Sequence, residues 1–424
     1  MWSWSNGDLY RRYEYSLRIH DTSRTAHSHW IHVFDVGTRY SVSKNPCSRL
    51  LLFVDSHSLG PILGGAFVNS SATWRWSFYI NLCVGAAAAP AWIFLLPSHH
   101  PRPDLTHRQR LASVDWVGVI LFLGLSLSTS MAMCFGGALY DWGSGHVIGL
   151  FVCGGVLCLL LAIQQGVPIM TSREHQIFPW DFVTNWEMCI FFAVTAAANT
   201  ASYVPIYFIP LYFQFAHDTS ALQAGVYLLP YVTFFVAAIL SNGLLVSKTG
   251  LYMPWYLAGG ILTIIGGALL YTIALDNMPA RTYGFSMLLA LGGGAYNQTS
   301  YSVAQAKVSK ERVPDAVSFI MCAQMLGIVL TLSISNTSFL NQATDKISLL
   351  LPTSSRPAVQ QAISGVNGAL FGSLDAATRR SVLQAIVGAV DDTYIMVITA
   401  GCVVVILSLS MKRERLFSGE ASSV

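Results

Sequence analysis

Apolar residues come along this chain in blocks as long as a membrane is thick. Runs of about twenty mostly apolar residues predict helical spans near 77–96, 113–135, 146–166, 187–212, 221–246, 254–275, 282–304, 315–339 and 392–411. A further run, Leu50 to about Val68, is broken by Asp55, Ser56, His57 and Ser58. A lipid-exposed helix carries such residues only at a cost of several kcal/mol. A carboxylate beside a histidine inside a membrane is a proton-relay pattern; the competing reading leaves these four residues in the segment ahead of the span. Residues 1–50 show neither helical nor strand periodicity and are expected to form a disordered tail, or to be an unrelated leader.

The polar connections between the runs set an orientation. Arg102, Arg108 and Arg110, then Arg173, Lys248, Lys307, Lys310 and Arg312, and finally Lys412, Arg413 and Arg415 fall on one side of the alternating spans. The short connections on the other side offer Arg75 and Arg281. The excess marks the first side as cytoplasmic and puts the carboxy terminus there. The long segment 340–391 falls on the outer side, where Val366, Leu370, Leu374, Val382, Ile386 and Val390 recur at helical spacing and predict one or two amphipathic helices on the bundle or the interface.

Composition agrees: 53% of residues are hydrophobic and 11% charged, less than half the usual charge of about 25% in soluble domains. The net charge of +3 comes from the first fifty residues, so the apolar part has no basic surface for nucleic acid. Seven of the eight cysteines lie in apolar runs and none forms a CxxC pair, which reads as packed thiols rather than a metal site or disulfide framework. The first 49 residues contain no apolar run that could serve as a signal peptide. No clustered His, Cys or carboxylates stand at catalytic spacing, so an enzyme has no supporting motif.

Candidate chemistry lies inside the spans. Asn199, Tyr203 and Tyr207 share a helix face, with Pro205 and Pro210 set to bend it. Gln223, Tyr227 and Tyr231 repeat the spacing, as do Asn297, Tyr301 and Gln305 with Gln298 alongside, and Gln324 adds an amide on the next span. Polar groups at membrane depth avoid lipid, and rings with a few amides suit a bulky, partly apolar organic solute. Hydrogen bonding between helices accounts for the same stripes, and both readings stand.

The stretch Gly60 to Leu82, GPILGGAFVNSSATWRWSFYINL, is the most distinctive. Gly60 and Gly64, with Gly65 beside them, give a helix face that a neighbouring backbone can approach, and Pro61 bends it. Arg75 between Trp74 and Trp76 is a headgroup-layer anchor. These residues resemble the antiporter motif of the major facilitator superfamily, and WRW-F-INL is similar to its fungal fourteen-helix drug:proton antiporter branch. The runs 241–260 and 304–327 look like that family's loop between helices ten and eleven and its passage from twelve to thirteen.

The resemblance implies an all-α polytopic membrane protein with the major facilitator fold. Its expected parts are a remnant of the amino-terminal bundle at 51–97, a cytoplasmic loop at 98–112 and two linking spans at 113–170. A six-helix carboxy-terminal bundle at 187–411, with its outer loop 340–391, and a cytoplasmic tail at 412–424 complete it. In the family the motif sits on the fifth helix, so the first four are expected to be missing and the amino-terminal bundle incomplete. The implied function is secondary active efflux of small organic compounds such as toxins or drugs. It implies coupling to protons, no cofactor and no metal, in the plasma membrane or a vacuolar or vesicle membrane. The family's acidic residue on the first helix, arginine on the fourth and gating loop between the second and third match no position here. Asp55 apart, no carboxylate falls deep in a predicted span. The alternative is a truncated membrane protein that binds a solute without moving it, and flux from this chain alone is not expected.

Overall fold

The computed structural model describes residues 60–94 except 61, 62, 69, 71, 72 and 74, then 106, 108, 109, 114–167 except 138, 171, 176–276, 278–352, 354–364 and 374–416. The expected tail, the part of the next run up to residue 59 with Asp55 and His57, most of the loop at 98–112, Pro61 and Trp74 lie outside the described residues. One isolated bridge joins Gly136 and Tyr140; otherwise the regular structure of the described residues is helical. The helices are α1 Trp76–Phe94, α2 Trp116–Phe135, α3 Gly145–Gly166, α4 Trp180–Thr184, α5 Trp186–His217, α6 Ala221–Tyr227 and α7 Leu229–Thr249. They continue as α8 Met253–Tyr271, α9 Pro279–Gly294, α10 Thr299–Ala306, α11 Val313–Leu350, α12 Arg356–Ser364 and α13 Ala376–Leu409. Among the described residues, seven helical units are long and apolar enough to cross a membrane: α2, α3, α5, α6 with α7, α8, α11 and α13.

Two expected spans are divided, each for a local reason. Ser220 and Gln223 form a reciprocal capping box that starts α6, and Pro230 in the first turn starts α7. The span expected at 282–304 breaks after the glycines 292–294, with a turn at 295–298 before α10. Two other helices overrun their expected ends. α11 has 38 residues and α13 has 34, and at about 1.5 Å per residue each exceeds a hydrocarbon core of about 30 Å. Much of the segment expected as an outer loop at 340–391 is therefore helix, made of the end of α11, α12 and the start of α13.

α5 is the axis of the bundle, with α11, α13, α9, α10 and α6 packed around it. Pro205 within α5 has no N–H to give to the Ala201 carbonyl. The Tyr231 hydroxyl from α7 donates to that carbonyl at 2.9 Å instead, so Pro205 does not leave it unpaired. α8 lies between α9 and α13, and glycine lets α8 and α9 meet backbone to backbone: a Cβ on Gly292 would lie 2.6 Å from the Thr263 nitrogen. The pair α2 and α3 docks through α2 on α11, where Ser130 and Ser333 hydroxyls meet at 2.9 Å and Thr337 donates to the Met133 carbonyl at 2.7 Å.

Polar contacts gather at the two ends. At one end, Asp115 caps α2 and accepts amide protons from Gln164 at 2.9 Å and Gln165 at 2.7 Å. There Lys307 bonds Glu187 at 2.6 Å and pairs with Glu414, and Lys412 reaches Glu187 at 2.6 Å. Gly250, at φ +69°, lies so close to Leu416 that only glycine fits, and its carbonyl accepts the Leu416 N–H at 2.9 Å. At the opposite end, ion pairs join Arg356 to Asp345, Arg380 to Asp276 and Lys346 to Asp392.

Candidate functional site

Around α5 the structure gathers polar side chains from four helices and one turn. Asn199 is buried, donates from its amide to the Thr195 carbonyl at 2.7 Å, and leaves Oδ1 without a partner. Asn297, on the turn between α9 and α10, donates to Ser202 Oγ at 2.8 Å. The neighbouring Gln298 has a buried Oε1 with no partner. Tyr301 on α10 donates its hydroxyl proton to Gln324 Oε1 on α11 at 2.6 Å. Thr200 and Thr331 hydroxyls meet at 2.7 Å between α5 and α11. The α9–α10 break thus has a consequence: it turns Asn297 toward α5 and frees Gln298 from a regular helical register.

The other candidates lie elsewhere. Tyr203 is half-buried and Tyr207 is 50% exposed. Gln223 is exposed, and its side chain closes the cap of α6. Tyr227 packs with the rings of Phe213 at 4.9 Å and Tyr283 at 6.1 Å. Of the glycines before α1, Gly65 is buried, and a Cβ there would lie 2.6 Å from the Ala221 carbonyl; nothing lies within 4 Å of a Cβ on Gly60 or Gly64. Arg75 is exposed, and Trp76 stacks on Phe67 at 6.5 Å and meets Tyr79 edge-on at 6.1 Å.

Several members of the polar group were not among the candidates. Ser202, Thr200 and Thr331 are short hydroxyl residues, which apolar helices carry so often, bonded to their own backbone, that a sequence does not mark them. Asn242 on α7, whose Oδ1 accepts from Thr299 at 2.9 Å, did carry a readable signal as an amide inside a predicted span. Two buried acceptors, Asn199 Oδ1 and Gln298 Oε1, remain unpaired. Each costs about 1–3 kcal/mol while unmet, so the site suits a ligand or water that brings N–H or O–H donors.

The charged end frames this region. Lys307 lies under the rings of Phe191 at 5.8 Å and Tyr252 at 5.4 Å. Burial works against its charge, but the bonds to Glu187 and Glu414 outweigh it and hold its pKa above the ordinary lysine value. Glu187 does the same for Lys412.

Known proteins are similar to this one in sequence. The profile of the Major Facilitator Superfamily matches residues 56–332. An MFS-type transporter, pgmG, of Aspergillus terreus is 45% identical over 359 residues, covering 85% of this chain and 64% of that protein. The efflux pump alnA of Emericella nidulans is 43% identical, covering 86% of this chain and 66% of that protein. The efflux pump patC of Aspergillus clavatus is 40% identical, covering 84% and 66%. The chain therefore spans a little under two thirds of the length of these relatives. A solved bacterial homolog of the human lysosomal transporter Spinster, inward-facing and occupied, overlaps with a TM-score of 0.43 at 16% identity, covering 86% of this chain and 83% of that one, and adds nothing to the assignment. On the profile match and these identities, the chain belongs to the Major Facilitator Superfamily.

Proposed function

We propose that this integral, multi-pass membrane protein works in the export of small organic compounds by secondary transport, with the polar group around α5 as the solute site. The observation that carries the reading is the pair of unpaired buried acceptors, Asn199 Oδ1 and Gln298 Oε1, among aromatic and amide side chains of α5, α10 and α11. An apolar bundle that leaves such groups unmet has a use for them. Relatives named efflux pumps support the direction of movement and the class of solute. Protons are the coupling ion in this reading, and the end carrying Lys248, Lys307 and Lys412 is cytoplasmic.

Residues 187–411 serve as the carboxy-terminal bundle and 113–170 as the linking spans. Gly65 against Ala221 acts as a close contact between the antiporter-motif helix and this bundle. Export is tested in cells stripped of their own pumps. Expression of the sequence at the full length of its relatives is expected to lower the accumulation of a fluorescent or toxic organic compound, and collapsing the proton gradient is expected to restore it; the 424 residues alone are not expected to do so. Unchanged accumulation, with the full-length form present in the membrane, sinks the proposal.

A further inference from the structure

α13 carries adjacent aspartates with different surroundings. Asp392 faces α11, where Lys346 Nζ reaches its Oδ2 at 3.1 Å. The same ammonium lies 3.7 Å from where a Cβ on Gly388 would stand, so it rests on the Gly388–Asp392 face of the helix. Asp391 is 9% exposed, next in sequence to the buried Val390 and one turn from the buried Val387 and Tyr394. Its Oδ1 is buried and has no hydrogen-bond partner. Among the described residues no lysine, arginine or histidine forms an ion pair with it at 4.0 Å or less.

The polar groups near Asp391 come from each side. Tyr212 of α5 packs in the same buried cluster as Val387, Val390 and Tyr394 of α13, with Asp391 and Asp276 of the α8–α9 connection near it and the Thr282 hydroxyl of α9 beside it. Tyr212 donates to the Ala274 carbonyl at 3.1 Å, which leaves its oxygen free to accept. Thr282 Oγ1 is itself buried and without a partner in hydrogen-bonding geometry. Asp276 is bound to Arg380 at 2.6 Å, so the nearby cations, Lys346 and Arg380, each already hold another carboxylate.

A carboxylate anion taken from water with no cation paired to it is strongly disfavoured; the acid form removes the charge and gains an O–H donor. We propose that Asp391, buried on α13 with Oδ1 unpartnered and no cation of its own, is a proton-binding site of this bundle. It sits at the end opposite Lys307, one residue from the partly exposed Asp392–Lys346 pair, and so loads from the outer side. The step is the reversible addition of one proton to one Asp391 oxygen, with no other bond changed. The site rests on the export reading for its use, as the place where an entering proton is first held.

Infrared titration of the purified protein in micelles tests the site directly, with no substrate present, so its failure and a failure of export are separate results. A carboxylic-acid C=O stretch that persists above about pH 6, where exposed carboxyls are ionised, is expected, lost in Asp391→Asn, retained in Asp392→Asn and displaced in Asp391→Glu. If Asp391→Asn does not fold, judged by its melting transition, the Glu variant decides: a displaced band supports the site. A band unchanged in both Asp391 variants, or no carboxylic-acid band above about pH 6 in the wild-type protein, overturns it.

Discussion

Replacing Tyr231 by Phe removes one oxygen and leaves the ring in place. In the native bundle that hydroxyl donates to the Ala201 carbonyl at 2.9 Å, with the Ser202 carbonyl at 3.3 Å, and Pro205 is the reason Ala201 needs it. The side chain is fully buried, so no water replaces the lost donor. An unmet buried acceptor costs about 1–3 kcal/mol, whereas hydrogen bonds between membrane helices average about 0.6 and reach about 1.7 kcal/mol. The expected loss for Tyr231→Phe is therefore about 1–2 kcal/mol. Pro205→Ala restores an N–H for the same carbonyl, so in that background Tyr231→Phe is expected to cost about 1 kcal/mol less. The cycle is read by reversible unfolding in mixed micelles. Strict additivity of the two substitutions would refute the idea that Tyr231 answers the proline.

The salt-bridged end and the glycine crossing give further expectations. Lys307→Met leaves Glu187 and Glu414 without their shared partner and is expected to cost about 1.5–3 kcal/mol, measured by the same unfolding assay. Lys307 holds its proton more tightly folded than unfolded, so its contribution is complete below the ordinary lysine value of 10.5 and is lost only as pH rises through the higher folded value. Stability from this cluster is thus flat between about pH 6 and 9, and a decline there that Lys307→Met abolishes would contradict the pairing. Gly292→Ala forces a methyl onto the α8 backbone and is expected to lose about 1–3 kcal/mol. Gly243→Ala, with nothing within 4 Å, is expected to be neutral or to gain up to about 1 kcal/mol. Equal melting temperatures for the two alanine variants would remove the close crossing from the account.

The spans were legible because an apolar run long enough to cross lipid has few other uses, and α2, α3, α5, α8 and α11 lie where the runs predict them. Their ends were less so. Asp391 fell one residue outside the span expected at 392–411, and only the helix running from Ala376 shows it as part of a continuous, buried wall. The breaks at Leu228 and at 295–298 depend on Pro230 in the first turn of α7 and on glycines packed against α7 and α8, which a sequence shows only as single small or ring-locked residues within an apolar run. Tyr231 illustrates the limit on reading stripes: its spacing matched Gln223 and Tyr227, but its hydroxyl serves a carbonyl that a proline on another helix left open. Asn297 was legible as an amide at membrane depth, whereas its partner Ser202 was not.

Solute binding at the polar group is the claim on which the rest turns, and equilibrium binding of small organic compounds to the purified chain measures it most directly. The wild-type protein is expected to bind one or more compounds saturably. Asn297→Ala and Gln324→Ala are each expected to weaken that binding about tenfold, the effect of about 1.4 kcal/mol, while Gly243→Ala leaves it unchanged and all three retain a cooperative melt. Saturable binding that none of the site variants alters, or no saturable binding across a chemically broad panel, would contradict the account.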